Sequence, residues 1–318
     1  IETIVIQIER KTYSIVTYRF MKHILILFVL LLNLQFSLAQ TEYIDSLYTV
    51  EKTTHTYHKF DRKDSLQLDF YKPQGVKKQL PLLVYVHGGG FSSGVRNDKN
   101  TKKFANAMAE KGYAVASISY RLIMKRKGFD CNTKTEDKIK AFDTAAEDVS
   151  YAIKHIIKNM STFNIDKDKI VISGTSAGAE AVLHLAYVYN NKILPKRFKL
   201  AGVIGMAGAI TTLDQINMDK AIPTQLFHGT NDNLVPYHIA AHHYCSPDAK
   251  GYMILNGSRA IADRLKGLGK SYYLFSINSG THSWSGIPMR RCVTEVTDFL
   301  FNDVLNMANR QTERTIGF

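Results

Sequence analysis

The chain has 318 residues, of which 45% are hydrophobic and 22% are charged. This composition is that of an ordinary globular protein, and the length excludes a small scaffold that depends on disulfides for its core. The formal net charge of +13 comes largely from scattered lysines without interleaved aromatic residues. It predicts a solvated basic surface and no nucleic-acid-binding module.

Residues 21–39 are typical of a secretory signal peptide. The segment begins with Met21-Lys22-His23, continues with the apolar run from Ile24 to Leu32, and ends with Ser37-Leu38-Ala39 before Gln40. This run is short for a bilayer span, and small-x-small is a cleavage pattern. We therefore expect a secreted or periplasmic protein without stable membrane insertion, the alternative being a retained N-terminal anchor. Residues 1–20 are interpreted as non-native upstream translation.

The chain contains three cysteines, Cys131, Cys245 and Cys292. In an exported protein they allow one disulfide and leave one thiol free. Three pairings are possible and stay open at this point. None of the cysteines has the spacing of a metal site.

Apolar strand patterns alternate with helical patterns along the rest of the chain. Strands are predicted at 53–60, 65–71, 80–86, 113–119, 169–173, 199–205, 221–228 and 270–277, and helices at 102–111, 139–160, 177–189, 257–268 and 290–309. Such alternation implies crossover connections and a mostly parallel sheet. We expect one α/β domain at 41–309, with a central sheet of about eight strands flanked by helices, followed by a flexible tail at 310–318.

The strongest motif is Gly174-Thr175-Ser176-Ala177-Gly178, which stands between a β-branched apolar run and an alanine-rich helical pattern. A serine at the apex of a sharp strand-to-helix turn occupies strained backbone, and only small neighbours fit around it. The motif alone also occurs by chance, but its context favours a nucleophilic role for Ser176.

A nucleophilic serine needs a base and an orienting carboxylate, which an open α/β sheet supplies from loops at the carboxyl ends of strands. Asp232 follows one predicted strand and His282 follows the last one. The order Ser, Asp, His along the chain favours these two residues. The alternative acids are Asp214 and Asp219, on the preceding connection.

The run His87-Gly88-Gly89-Gly90 follows a buried strand and ends in Phe91. A phosphate-binding loop would end in Gly-Lys-Ser/Thr instead. The backbone N–H groups of Gly89 and Gly90, with that of Ala177, are therefore predicted to form an oxyanion hole. His87 is expected to brace this loop.

His238, His242 and His243 have helical i, i+4 spacing, which could suit a metal, but no cysteine of the chain has metal-ligand spacing. No metal site is therefore predicted. His228 and His184 are interpreted as core residues.

With these motifs, the chain resembles α/β-hydrolases of the esterase/lipase class, in particular the hormone-sensitive-lipase-like group that carries His-Gly-Gly-Gly. The resemblance extends from about residue 82 to 284. It implies a catalytic triad of Ser176, Asp232 and His282, an oxyanion hole of Gly89, Gly90 and Ala177, and no metal or organic cofactor. Thr175 departs from the family, which often has an acidic residue there.

Many relatives carry a helical cap, whereas the segments available here are too short, so we expect no sizeable cap domain and an open cleft over Ser176. The sequence between Tyr244 and Leu265 is also similar to exported bacterial esterases that act on acetylated or feruloylated polysaccharides. The resemblance implies a carboxylic ester hydrolase acting on small-molecule or polysaccharide esters. A peptidase or amidase, or a non-catalytic binding protein, remains an alternative on the same fold.

Overall fold

The computed structural model describes residues 21–23, 42–60 and 64–317. The chain divides into two units, Ile1–Tyr43 and Ile44–Phe318. Within the first unit, Met21–His23 are helical and exposed. The rest of the predicted signal peptide and all of residues 1–20 lie outside the described residues. No helix in the described part of the chain combines the length and the hydropathy needed to cross a membrane.

A nine-stranded sheet forms the centre of the second unit. Its strands are β1 Val50–Lys59, β2 Ser65–Pro73, β3 Leu80–Val86, β4 Ala114–Ile118, β5 Ile165–Thr175, β6 Gly202–Met206, β8 Thr224–Gly229, β11 Tyr272–Ile277 and β12 Gln311–Ile316. Their order across the sheet is β1-β2-β4-β3-β5-β6-β8-β11-β12. The antiparallel pairs are β1 with β2 and β2 with β4, and all the other neighbours are parallel.

Helices connect the parallel strands. They are α1 Lys99–Glu110, α2 Thr135–Lys158, α3 Met160–Phe163, α4 Ala177–Tyr187, α5 Ser258–Gly267, α6 Pro288–Arg291 and α7 Val293–Phe299, with a π-helical turn at Leu300–Leu305. Helix α2 packs on α4, and α1 packs on α6 and α7. All seven residues of β3 are buried, although successive side chains point to opposite faces of a sheet. Both faces of the sheet are therefore covered, as in the predicted α/β architecture.

The end of the chain differs from the expected flexible tail at 310–318. Gln311–Ile316 forms β12 and pairs in parallel with β11, so the sheet has nine strands rather than about eight. Side chains help to hold this strand, because Glu313 accepts hydrogen bonds from Arg259 and from Tyr272 Oη. The expectation of a frayed tail is therefore wrong for this segment. A polar sequence forms a strand here because β11 offers it an unpaired edge.

A small second sheet, in the order β7-β10-β9, lies in the connections that precede and follow β8. Its strands are β7 Ala209–Ile210, β9 Ile239–Ala241 and β10 Ile254–Gly257. The sequence patterns did not predict it, since these strands have only two to four residues. Residues 44–318 form a single unit, so the described chain has no separate cap domain.

Candidate active site

Ser176 lies in a sharp turn between β5 and α4. Its φ of 51° is in the left-handed region, which is strained for a residue with a side chain. Small neighbours make this turn possible, because a Cβ atom on Gly178 would lie 2.2 Å from the carbonyl oxygen of Val86, and one on Gly174 would lie 2.2 Å from that of Gly178. The turn lifts the Ser176 hydroxyl to the carboxyl end of the parallel strands.

The three residues predicted to act together lie in one chain of hydrogen bonds. Ser176 Oγ is 2.9 Å from His282 Nε2, and His282 Nδ1 is 2.8 Å from Asp232 Oδ2. Asp232 follows β8, and His282 begins a short 3₁₀ turn after β11. Because parallel strands end at one edge of the sheet, residues separated by 106 and 50 positions meet there.

Asp232 is 1% exposed, accepts three hydrogen bonds and has a further close contact with an imidazole. Oδ1 accepts from the backbone N–H groups of Leu234 at 2.9 Å and Val235 at 3.0 Å. Oδ2 faces His282, and His228 Nε2 lies 3.3 Å from it. Burial raises the pKa of this carboxyl, but the two imidazoles outweigh burial and hold the pKa well below its usual value. The residue is therefore an ionised carboxylate that fixes the orientation of the His282 ring.

The alternative acids lie elsewhere. Asp214 is exposed and accepts a hydrogen bond from Thr212, and Asp219 is exposed on the same connection. Neither has a contact with His282.

The glycine run after β3 lies beside the Ser176 hydroxyl. Gly89, Gly90 and Ala177 line the same cavity as Ser176, and their backbone N–H groups have no acceptor among the described residues. Gly89 adopts a φ of 117°, which a residue with a side chain rarely adopts. The three N–H groups are therefore free to bind an anion that develops next to Ser176.

His87 is buried next to this glycine run and braces it, as expected from the sequence. It is 4% exposed, its Nδ1 lies 2.8 Å from the carbonyl oxygen of Gly88, and its own carbonyl oxygen accepts a hydrogen bond from Tyr120 Oη at 3.0 Å. Burial lowers the pKa of His87, which favours the neutral ring.

The cavity at Ser176 has a volume of about 380 Å³. Its walls combine the apolar Phe129, Leu234 and Val235 with the polar Glu180, His242 and His243. A larger cavity of about 590 Å³ lies at the end of α4, but it contains none of the three hydrogen-bonded residues. Chemistry rather than volume therefore identifies the smaller cavity as the candidate site.

A disulfide joins Cys131 and Cys245, whose Cα atoms are 5.3 Å apart, and leaves Cys292 buried and free. This pairing was left open by the sequence. It ties the loop that carries Phe129 to the segment that carries His242 and His243. Two walls of the cavity are thus covalently linked.

The helical spacing considered for His238 and His242 does not exist, because Ile239–Ala241 is a strand. His238 is exposed, whereas His242 is buried next to Glu180. No group of three or more potential metal ligands occurs in the described ranges of the chain.

Sequence reasoning missed Glu180 and His242 as residues of this cavity. A signal for Glu180 was present, since it is the only acidic residue in an alanine-rich, mostly apolar helix, one turn after Ser176. His242 had no such signal, because its position depends on how the chain between β8 and α5 folds back over the cavity.

Comparisons with known proteins agree with this architecture. A model of BD-FAE, an esterase/lipase family with the α/β-hydrolase fold, matches residues 68–218. Gut esterase 1 of Caenorhabditis briggsae is 32% identical over 129 residues, which are 41% of this chain and 22% of that esterase. Chlorogenic acid esterase of Aspergillus niger is 26% identical over 182 residues, 55% of this chain and 33% of that enzyme.

The chain therefore spans only about a fifth to a third of the length of these curated relatives. Among solved structures, propionate-bound esterase 2 of Thermogutta terrifontis superimposes with a TM-score of 0.58 at 19% identity, covering 79% of this chain and 94% of that one. The chain has the α/β-hydrolase fold, and its segment 68–218, which includes the glycine run and Ser176, matches the BD-FAE family.

Proposed function

We propose that this protein is a carboxylic ester hydrolase that works through an acyl-enzyme on Ser176. The observation that carries the proposal is the hydrogen-bonded series from Ser176 through His282 to Asp232, at 2.9 and 2.8 Å. Such a series activates a hydroxyl because the imidazole accepts its proton as the oxygen attacks. The esterases among the relatives support ester bonds as the target.

In the first half of the reaction, Ser176 Oγ attacks the ester carbonyl while His282 Nε2 takes the hydroxyl proton. Asp232 accepts the Nδ1 hydrogen bond, which keeps the neutral ring in the tautomer that can act as a base and then stabilises the imidazolium. The N–H groups of Gly89, Gly90 and Ala177 bind the carbonyl oxygen as it becomes negative. Each such donor typically contributes about 3 kcal/mol to stabilisation of the transition state.

In the second half, His282 gives the proton to the departing alcohol, and the acyl group stays on Ser176. Water then loses a proton to His282 and attacks the acyl carbon, which releases the carboxylic acid and restores the serine. Ser176 and His282 are both partly exposed, so substrate and water can reach them from solvent.

We further propose that the protein is exported and acts on esters of polysaccharides, such as acetylated or feruloylated xylan. Residues 21–39 support export, and so does the disulfide Cys131–Cys245, since disulfides persist in oxidising compartments. The relative named as a chlorogenic acid esterase supports an ester substrate, and the polysaccharide part is proposed on the similarity of residues 244–265 to exported bacterial esterases. Membership of the hormone-sensitive-lipase-like subgroup is proposed on the His87 to Gly90 motif.

The test uses an active-site-directed fluorophosphonate probe together with an ester panel. The wild-type protein should be labelled on Ser176 and should hydrolyse p-nitrophenyl esters, whereas Ser176→Ala should lose labelling and about 10⁶-fold in kcat. Ser150→Ala is the control, because Ser150 is a buried helical serine outside the cavity. A fully active Ser176→Ala protein would refute the mechanism.

Two further assays distinguish the substrate class. Faster cleavage of peptide or anilide substrates than of esters would favour an amidase on the same fold. Cleavage of p-nitrophenyl esters without release of acid from acetylated or feruloylated xylan would refute the polysaccharide substrate and leave the esterase proposal intact.

A further inference from the structure

Two buried polar residues line the cavity without a role in the mechanism above. Glu180 lies on α4 one turn after Ser176 and is 2% exposed, and His242 approaches from the 3₁₀ turn after β9 and is 1% exposed. The Nε2 atom of His242 is 3.3 Å from Oε1 of Glu180. The two side chains thus meet in the wall of the cavity next to the nucleophile.

These two side chains have an unused capacity for hydrogen bonding. Despite the short distance between them, they form no aligned hydrogen bond, and Oε1 of Glu180 and both ring nitrogens of His242 have no partner within the described protein. Buried polar side chains nearly always have a partner, and those that lack one call for an explanation. Because this pair lines a substrate-sized cavity, a substrate group is the natural partner.

The charge state of the pair limits which group can bind. Burial, with the nearby carboxylate of Asp232, raises the pKa of Glu180 well above its usual value, although Lys138 opposes this. Burial, with the neighbouring His243 and Lys138, lowers the pKa of His242 well below its usual value. Both shifts favour uncharged side chains, which offer hydrogen-bond donors and acceptors together.

A charged substrate group would be disfavoured beside this pair. Burial penalises a charge of either sign here, and the opposite charges of Asp232 and Lys138 act against each other on any ion that binds. The ring of Phe129, centred 5.3 Å from the His242 ring, adds an apolar contact. A neutral group that both donates and accepts fits this environment, and a hydroxyl is the simplest example.

We infer that Glu180 and His242 form a binding site for a free hydroxyl group on the substrate, so that the enzyme prefers hydroxylated esters. The inference rests on the proposed ester hydrolysis at Ser176. The hydroxyl can belong to the acyl part or to the alcohol part of the ester, and matched substrates separate these two sources. When it is bound, the hydroxyl gives the carboxyl and imidazole groups the partners that the protein does not provide.

The test compares kcat/KM within pairs of esters that differ by one hydroxyl. The acyl pair is p-nitrophenyl butyrate and p-nitrophenyl β-hydroxybutyrate, and the alcohol pair is ethyl butyrate and ethylene glycol monobutyrate. The wild-type enzyme should prefer the hydroxylated member of at least one pair by about tenfold, the effect of one good hydrogen bond. The pair that shows the preference identifies the part of the substrate that carries the hydroxyl.

Variants test the assignment to these residues. Glu180→Met and His242→Phe keep much of the side-chain volume but remove the hydrogen-bonding groups, so the preference should fall towards one. Glu180→Gln can still donate and accept, so it should retain most of the preference. Asp143→Asn is the control. Asp143, on α2, lies 2.8 Å from His184, which is on the same helix as Glu180, but Asp143 is outside the cavity.

The preference is a ratio measured on one preparation, so it does not depend on the fraction of a variant that folds. A wild-type ratio near one in both pairs would overturn the inference while leaving ester hydrolysis at Ser176 in place. An equal loss for both members of a pair in Glu180→Met and His242→Phe would also overturn it, since it would show a purely structural role. No hydrolysis of any ester would overturn the proposed function and this inference together.

Discussion

Replacing Asp232 by asparagine tests the geometry of the site more sharply than removing the nucleophile. The substitution keeps the shape of the side chain and removes one charge. Oδ1 of Asp232 accepts two backbone N–H groups, from Leu234 and Val235. In Asp232→Asn the amide oxygen must keep these contacts, because the alternative orientation would point an NH₂ group at two N–H donors.

The amide NH₂ group then faces His282 Nδ1, which lies 2.8 Å from the present oxygen. A donor at this position requires Nδ1 to accept, so the proton of the neutral ring moves to Nε2. That nitrogen is 2.9 Å from Ser176 Oγ and can then no longer take its proton. The equivalent change of tautomer in a serine protease lowers kcat about 10⁴-fold, and we expect a loss of this size in hydrolysis of p-nitrophenyl esters.

The assay measures kcat and KM for the wild type, Asp232→Asn and Asp214→Asn, with circular dichroism as a check of folding. Asp214 is exposed, belongs to the preceding connection and should behave as the wild type. A folded Asp232→Asn protein with activity within tenfold of the wild type would refute the role assigned to this carboxylate. A large loss in Asp214→Asn would point to the alternative acid.

Three other predictions concern the scaffold. Replacing Cys131 and Cys245 by alanine should lower the free energy of unfolding by about 2–5 kcal/mol, since 114 positions separate them, and denaturant titration would contradict this if the midpoint did not move. Deleting residues 311–318 should lower the melting temperature by exposing the edge of β11, whereas an unchanged temperature would mean that β12 adds nothing. Glu180→Gln should gain stability relative to the wild type as pH rises above about 4.3, because a raised pKa in the folded state means that the wild type loses stability with increasing pH. Parallel pH dependences of unfolding in the two proteins would count against the raised pKa.

The fold class could be predicted because each of its long elements carries its own local signal. The predicted strand at 80–86 coincides with β3, and the strand and helix around Ser176 are present with somewhat different ends. A strand buried on both faces must be apolar throughout, and a helix that covers it must repeat its apolar residues with a helical period, so these segments need no tertiary information. The short strands β7, β9 and β10 lack such a period, and β12 is a polar segment whose conformation depends on the edge of β11.

The six candidate site residues could be named from the sequence because each stands in a local pattern after a strand, and the carboxyl ends of parallel strands meet at one edge. What only the tertiary structure decided was contact between distant segments. It selected Cys131 and Cys245 from three possible pairings, and it buried His242 against Glu180. Contacts of this kind depend on how long connections fold over the sheet, and the free energy of that packing is spread over many residues rather than encoded in any one motif.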